Sequence, residues 1–341
     1  MIVEQLNIKD FIAKSSGELI IDVRSPIEFN KGHMTNAVNI PLFEDAERAE
    51  IGTLYKQQGK ETAVTRGLEI VSPKMVPFVS KVKALSKNKK AFVYCFRGGM
   101  RSNSFSWLLN TSGLDSCILH GGYKAYRNYV LESFTKKKKI ILLGGKTGSG
   151  KTDILKLLNK DFAQVIDLEK LANHKGSAFG AINEEKQNPQ QIFENNLCYE
   201  FSLLDLSKPI VLENESQNIG YNRIPHALWL QMKEAAIIML EIPFELRVQK
   251  LVDDYTTADI EALKKAVKKI AQQLGPLNTK LCLQYLDEGR LGDVASLSLS
   301  YYDKAYDFSF ARQKQSGIVI QSETIDATIN AEKVKQAISS M

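Results

Sequence analysis

The residues best suited to covalent chemistry lie in the stretch 95–102, Cys-Phe-Arg-Gly-Gly-Met-Arg-Ser, which follows a short apolar run. Its glycines allow a tight turn whose backbone N–H groups point inward and form a nest for an anion. Arg97 and Arg101 add charge-assisted donors, and positive surroundings favour the reactive thiolate of Cys95. A lone cysteine at a strand end is more often structural. Here the pattern predicts a catalytic site in which Cys95, Arg97 and Arg101 handle an anion.

A second loop is suited to binding phosphate. The stretch 145–152, Gly-Lys-Thr-Gly-Ser-Gly-Lys-Thr, matches GxxxxGK[ST] and lies between an apolar run and a helical pattern. In such a loop the backbone N–H groups surround the phosphates, the lysine contacts them as a point charge, and the hydroxyl of Thr152 could ligate Mg²⁺. The predicted phosphate-binding residues are Gly145, Gly148, Ser149, Gly150, Lys151 and Thr152.

Polar residues further along the chain are candidates for supporting roles at that loop. Glu213 and Glu215 lie at the end of an apolar run that begins at residue 209, the place where parallel sheets hold their ligands. Either glutamate could act through Mg²⁺, or it could only orient loop residues. His174 and Ser177 belong to a Gly- and Ser-containing stretch that could approach the phosphates, although its composition alone equally fits a surface loop.

Length, charge and cysteine content narrow the class of protein. The 341 residues are 44% hydrophobic and carry a net charge of +6, which suits two domains and is compatible with a nucleic acid or phosphate-bearing partner. The four cysteines show no CxxC or metal-ligand spacing, which favours free thiols in a reducing compartment. No apolar run approaches the roughly 20 residues of a membrane span. We therefore expect a cytoplasmic protein that does not associate with membranes.

Strand-like apolar runs alternate with helical patterns, which predicts an α/β fold with parallel sheets. A lysine run at 136–139 marks a linker. The expected segments are a parallel-sheet domain at 1–134, a phosphate-binding parallel-sheet domain at 135–253 and a helical C-terminal region at 254–341. In the last region an aromatic cluster at 301–306 could stack on bases, although packing is the simpler role.

Separated motifs within residues 5–130 resemble a rhodanese domain. They are Ile21–Pro26 with Glu28-Phe29, Gly32-His33 with Ala37–Pro41, the cysteine loop, and Gly121-Gly122. In that family the loop cysteine carries sulfur or selenium as a persulfide or perselenide, and the resemblance assigns this role to Cys95. His33 is interpreted as bracing the loop after its helix, and Asp22 with Arg24 as a structural ion pair.

A rhodanese domain joined to a P-loop domain resembles the bacterial tRNA 2-selenouridine synthases. The resemblance implies replacement of sulfur by selenium in 2-thiouridine at the wobble position of tRNA, with selenophosphate as the selenium donor. It also implies an S-geranyl intermediate made from geranyl diphosphate. The loop with Lys151 and Thr152 would hold the diphosphate of this donor, and phosphates of a nucleotide or of tRNA are the other candidates. No tightly bound cofactor is expected beyond an optional Mg²⁺. Because the base lies in an anticodon loop, stacking and basic residues should dominate its recognition.

Two other classes of function stay open. The spacing from Cys95 to Arg101 also fits the C-x5-R pattern of cysteine phosphatases, so the first domain could be a sulfurtransferase or a phosphatase. Alternatively, the chain is a P-loop kinase or NTPase whose rhodanese module only binds. Phosphoesterase activity of residues 1–134 without tRNA would favour the first class, and ATP turnover that survives loss of Cys95 would favour the second.

Overall fold

The structure is a computed structural model that describes residues 3–177, 179–180, 182, 184–256, 258–310 and 316–341. Its contacts divide the chain into two units. The first runs to Ser133 and includes Glu194–Asn196, and the second begins at Phe134 and comprises the rest. Each unit contains its own parallel sheet flanked by helices, which confirms the α/β prediction. No helix in the described ranges is both long and apolar enough to cross a membrane.

The sheet of the first unit has the strand order β1-β5-β4-β2-β3, and every neighbouring pair is parallel. Its strands are β1 (Glu4–Leu6), β2 (Leu19–Asp22), β3 (Ala37–Asn39), β4 (Lys90–Tyr94) and β5 (Asp115–Leu119). The surrounding helices are α1 (Ile8–Lys14), α2 (Pro26–Lys31), α3 (Asp45–Gln57), α4 (Lys60–Val71), α5 (Met75–Leu85), α6 (Met100–Thr111) and α7 (Gly122–Ser133).

Local sequence accounts for how these elements begin and pack. Helix α2 begins at Pro26, whose missing N–H suits the first turn, and the Glu28 carboxylate accepts the Ser25 N–H at 3.3 Å. Strand β4 is apolar and its residues 91–94 are fully buried, as expected for a parallel strand with both faces covered. This strand delivers Cys95 to the edge of the sheet where β2 also ends.

The sheet of the second unit has the order β12-β11-β6-β8-β7, again with parallel neighbours. Its strands are β6 (Ile140–Gly145), β7 (Gln164–Ile166), β8 (Ile210–Glu213), β11 (Ala236–Glu241) and β12 (Gly317–Gln321), and a short antiparallel hairpin is formed by β9 (Asn218–Ile219) and β10 (Asn222–Arg223). The helices that follow in the chain are α8 (Lys151–Asp161), α9 (Leu168–Ala172), α10 (Gln190–Ser202), α11 (His226–Glu234), α12 (Phe244–Tyr255), α13 (Ile260–Lys269), α14 (Ala271–Leu274), α15 (Pro276–Asp287), α16 (Leu291–Phe310) and α17 (Ala327–Ser339).

The C-terminal region departs from the helical prediction for 254–341. Helix α12 continues past the expected boundary at residue 253, and β12 joins the sheet in parallel beside β11. A Cβ at Gly317 would lie 2.3 Å from Ile237 O, so glycine permits this close strand pairing. The strand is short and only half-buried on alternate residues, so its apolar pattern could not be distinguished from that of a helix.

Candidate active sites

Cys95 sits where β4 ends and the loop leading into α6 begins. Its side chain is buried, with Sγ 3.2 Å from Ser102 Oγ, and it accepts the Gly99 N–H at 3.3 Å. The sulfur therefore faces a backbone amide at the N-terminus of a helix, where the helix dipole favours negative charge. The loop thus directs the Gly99 N–H at the sulfur, as one of the inward-pointing amides predicted from the glycines.

A second glycine turn holds the cysteine loop in place. Tyr123 N–H donates to Cys95 O at 2.8 Å, and Lys124 N–H donates to Phe96 O at 3.0 Å. A Cβ at Gly122 would lie 2.3 Å from Cys95 O, and Gly122 also has a positive φ of 58°. Only glycine fits this approach. The Gly121-Gly122 motif therefore holds the backbone of the cysteine loop in place.

The two arginines of the loop have different surroundings. Arg101 donates to Glu28 Oε2 at 2.7 Å, and both side chains are largely buried. Burial pushes the pKa of Glu28 upward, but the hydrogen bonds and charge of Arg101 outweigh it and hold that pKa below its ordinary value. Arg97 is exposed and forms no ion pair within the described ranges. Of the two predicted anion-binding arginines, Arg97 is the one available to a ligand.

The pairing of Arg101 bears on the phosphatase alternative. In a C-x5-R site the arginine must donate to the phosphate, whereas here its guanidinium donates to Glu28 from α2. The arginine instead ties the start of α6 to the start of α2. This geometry favours a positioning role for Arg101.

The residues interpreted as structural in the first unit have that role. His33 Nδ1 lies 2.9 Å from Phe29 O, and the imidazole stacks on the Phe29 ring at 3.8 Å. Burial lowers the pKa of His33, which favours the neutral ring. Asp22 and Arg24 form an almost fully buried ion pair at the end of β2.

The phosphate loop of the second unit connects β6 to α8. Gly148 and Gly150 have positive φ values of 81° and 76°, which only glycine adopts without strain. Lys151 Nζ donates to Gly145 O at 2.9 Å, so the lysine folds back across the loop. Ser149 Oγ is buried and has no hydrogen-bond partner among the described residues. The loop therefore holds polar groups that a bound anion could satisfy.

Carboxylates from two neighbouring strands converge on Thr152. Its hydroxyl lies 3.2 Å from Glu213 Oε1, at the end of β8, and 3.3 Å from Glu169 Oε2, just after β7. Glu169 N–H also approaches Glu213 Oε2 at 3.4 Å. Glu169 was absent from the sequence-based candidates because β7 has only three residues and was not predicted. The available signal was a pair of acidic residues, Asp167 and Glu169, within three residues of the short apolar run 165–166.

The acidic groups shift each other's protonation. Burial and the nearby Glu215 carboxylate raise the pKa of Glu169 to about 8. Burial together with Glu169 and Glu215 raises the pKa of Glu213 well above its ordinary value. Burial favours the neutral amine of Lys151, but the surrounding carboxylates outweigh it and raise the lysine pKa. One lysine thus stands among three glutamates, and added positive charge would stabilise all three as carboxylates.

The stretch with His174 and Ser177 lies beside these glutamates. A Cβ at Gly176 would come within 2.5 Å of Glu215 Oε2 and 2.9 Å of Glu169 Oε1. Ser177 Oγ accepts the Phe179 N–H, and His174 N–H donates to Glu169 O at 3.0 Å. Burial lowers the pKa of His174, whose Nδ1 finds no partner in the described structure. The stretch therefore packs against the glutamates beside the 145–152 loop, and His174 is hydrogen-bonded to the backbone of Glu169.

Helix α16 stabilises the phosphate loop through two ion pairs. The buried Arg247 guanidinium donates to both carboxylate oxygens of Asp303, at 2.8 and 2.6 Å, and to Thr147 O at 3.2 Å. Lys146 pairs with Asp307 at 2.9 Å on the surface. The aromatic cluster on this helix also packs, since Tyr302 contacts the Phe179 ring.

A cavity of about 740 Å³ opens above the loop. It joins the phosphate-binding backbone and the acidic groups to an apolar and aromatic wall. The wall residues are Phe179, Ile182, Trp229, Leu251, Tyr255, Tyr302 and Tyr306. A ligand that carries both phosphate and hydrocarbon matches such a lining.

Comparisons with known proteins agree with this two-site architecture. Residues 7–129 match the model of the rhodanese-like domain, and residues 138–285 match the model described as the tRNA 2-selenouridine synthase AAA domain. The curated tRNA 2-selenouridine synthase of Shewanella denitrificans is 34% identical over an alignment that covers 87% of this chain and 89% of the relative. This chain belongs to the tRNA 2-selenouridine synthase family.

Other members of the family are comparably similar. The synthase of Shewanella frigidimarina is 37% identical over 75% of this chain and 70% of its own length. That of Bdellovibrio bacteriovorus is 41% identical over 69% of this chain and 64% of its own length. The two matched ranges contain Cys95 and Lys151, respectively. Asp303 and Tyr306 lie beyond the second range: Asp303 pairs with Arg247, which donates to Thr147 O, and Tyr306 lines the cavity.

Proposed function

We propose that this protein is a cytoplasmic transferase that replaces sulfur by selenium in 2-thiouridine at the wobble position of tRNA, using selenophosphate and geranyl diphosphate. The support is the joining, in one chain of this family, of a cysteine held by a glycine nest to a phosphate loop below an apolar cavity. The four cysteines lie in the described part of the chain and form no disulfide there, which is compatible with the reducing cytoplasm.

The first step is alkylation of the base. The thione sulfur attacks C1 of geranyl diphosphate, diphosphate leaves, and N3 of the base loses its proton. The amides of the phosphate loop and Lys151 stabilise the leaving diphosphate, and the apolar wall accommodates the geranyl chain. Alkylation is needed because a thione sulfur is a poor leaving group.

The second step introduces selenium. The Cys95 sulfur attacks the phosphorus of selenophosphate and breaks the P–Se bond, which releases selenide. The selenide adds to C2 of the base as geranylthiol leaves, and water hydrolyses the S-phosphocysteine to phosphate and free Cys95. Arg97 and the Gly99 N–H hold the selenophosphate anion beside Cys95.

Mg²⁺ fits the phosphate site by the chemistry of its donors. Mg²⁺ prefers oxygen ligands and is commonly bound by one or two carboxylates together with substrate phosphates. Such oxygens lie close together on Thr152, Glu213 and Glu169. Among the described residues, no group of three or more His, Cys, Asp or Glu side chains is arranged to hold a metal ion by itself. We propose that Thr152 and Glu213 hold Mg²⁺ only when the diphosphate is bound.

The test is mass analysis of nucleosides from 2-thiouridine tRNA incubated with the protein and each donor, singly and together. We expect a geranyl adduct with geranyl diphosphate alone and 2-selenouridine when both donors are present. Unmodified tRNA, accompanied by ATP consumption or cleavage of phosphoesters, would overturn the proposal in favour of the kinase or phosphatase alternatives.

A further inference from the structure

Directly after the nucleophilic cysteine, the chain exposes an aromatic ring. Cys95 is buried, whereas Phe96 keeps 40% of its surface exposed. The backbone beneath the ring is fixed, because Lys124 N–H donates to Phe96 O and Tyr123 N–H donates to Cys95 O. Isolated exposed apolar residues are common on protein surfaces. This one differs because it adjoins Cys95 in a loop whose backbone is held by these two hydrogen bonds.

The neighbours of the ring make the surface both apolar and positive. Met100, the first residue of α6, is 52% exposed. The Arg97 guanidinium lies 5.8 Å from the centre of the Phe96 ring, and no carboxylate pairs with it in the part of the chain that the structure describes. Lys124, whose amide contacts Phe96, is a second exposed cation. A stacking surface beside cations suits an unpaired RNA base and its phosphates.

We propose that Phe96 stacks on an unpaired nucleobase of the RNA substrate while Arg97 contacts an adjacent phosphate, so that the base is presented to Cys95. This inference rests on the proposed function, since it takes an RNA base as the group that Cys95 serves. Stacking tolerates any base, so Phe96 contributes affinity and orientation, and selection of the thiolated base belongs to other groups.

The test measures binding of the full-length protein to a tRNA anticodon stem-loop that carries 2-thiouridine at the wobble position. Phe96→Leu keeps an apolar side chain and removes the ring, and we expect it to raise Kd about tenfold. Phe96→Trp retains a stacking surface and should bind close to wild type. Tyr55→Leu removes another exposed ring, on α3, and should leave Kd unchanged.

The interaction of Arg97 with phosphate has its own signature. For single-stranded nucleic acid, each phosphate that a protein neutralises adds about 0.7 to the slope of log Kd against log salt concentration, because counterions are released. Arg97→Gln should therefore lower that slope by about this amount. Phe96→Leu should leave the slope unchanged, because a stacked ring releases no counterion.

Alkylation of Cys95 by iodoacetamide, followed by peptide mass analysis, reports whether the loop is intact. We expect Phe96→Leu to keep a rate comparable to wild type. Equal RNA affinity of wild type and Phe96→Leu would overturn the inference, as would loss of affinity together with a changed rate of Cys95 alkylation, or a Phe96→Trp variant as weak as Phe96→Leu. Failure of the proposed function is distinguishable: the stem-loop would bind in a Phe96-dependent way and acquire no selenium.

Discussion

The cysteine loop around Cys95 and the phosphate loop around Lys151 have similar backbone structures, but their surroundings differ in charge. Each follows a buried parallel strand, turns on glycines with positive φ, and leads into the N-terminus of a helix. Around Cys95, the exposed cation Arg97 has no acidic partner among the described residues, and the carboxylate of Glu28 is paired with Arg101. Around Lys151, three glutamates surround a single lysine.

This difference teaches what each loop can accept. The cysteine loop offers positive charge and amides directly to an anion. The phosphate loop would place an anionic ligand close to Glu169, Glu213 and Glu215, and repulsion is relieved only if a cation or protons enter with it. Similar loop sequences thus produce sites of different electrostatic character, because the neighbouring strands supply different residues.

The largest effect is expected from removing the nucleophile. Cys95→Ser should reduce selenium incorporation into tRNA by about 10³-fold or more, because a less nucleophilic hydroxyl replaces the sulfur while the loop keeps its shape. Nucleoside mass analysis measures the product. Cys117→Ser changes another buried cysteine, on β5, and should leave incorporation unchanged. Selenation that persists in Cys95→Ser would remove the cysteine loop from the chemistry.

At the phosphate loop, Lys151→Ala should weaken binding of inorganic diphosphate by roughly 10- to 100-fold, the value of a lost hydrogen bond to a charged group. The variant also leaves the three glutamates without their central cation. Isothermal titration calorimetry with diphosphate in the presence of Mg²⁺ measures the Kd for diphosphate. Lys146→Ala removes a surface lysine that pairs with Asp307 and should have a much smaller effect. Equal losses in both variants would contradict a specific role for Lys151.

The raised pKa of Glu169 predicts a pH-dependent stability. A carboxyl with a folded pKa of about 8 binds a proton more tightly than in the unfolded chain, where its ordinary value is 4.5, so its contribution to stability is lost as pH rises from 4.5 to 8. Glu169→Gln should therefore gain stability relative to wild type across this window, by up to a few kcal/mol. Urea midpoints at pH 5 and pH 8.5 measure the gain.

The control for this effect is Glu323→Gln, which changes an exposed carboxylate in the same unit. Its stability relative to wild type should not vary between the two pH values. A Glu169→Gln variant that behaves in the same way would show that the glutamates are not electrostatically coupled, and the contrast between the two loops would weaken.

We expect substitutions of the two arginines of the cysteine loop to have different effects, one on activity and the other on stability. Arg97→Ala should lower selenium transfer about tenfold with an unchanged urea midpoint, since its side chain is exposed. Arg101→Ala should lower stability by about 1–2 kcal/mol, because it leaves the half-buried Glu28 carboxylate without this partner. Adding Glu28→Gln to Arg101→Ala should restore part of that stability. Identical behaviour of the two arginine variants would contradict their division of roles.

Short-range sequence patterns determined much of the fold of this protein and the positions of its two loops. Apolar runs followed by glycine-rich loops and helix starts predicted the parallel α/β fold, the position of Cys95 after a buried strand and the phosphate loop at 145–152. These features are readable because the turn, the helix N-terminus and the nucleophile or lysine lie within a few residues of one another. The same applies to α2, whose proline and glutamate mark its first turn.

Tertiary structure decided what each charged group does. Arg101 and Glu28 are 73 residues apart in the chain, and only the packing of α2 against the start of α6 makes them partners. Glu169 reaches Thr152 because β7 pairs with β8 and β8 with β6, and strand order is not written in any local pattern. Strand β12 likewise depends on the close approach that Gly317 allows beside β11. Motifs are local in sequence, whereas the electrostatics of a site is a sum over whatever the fold brings near it.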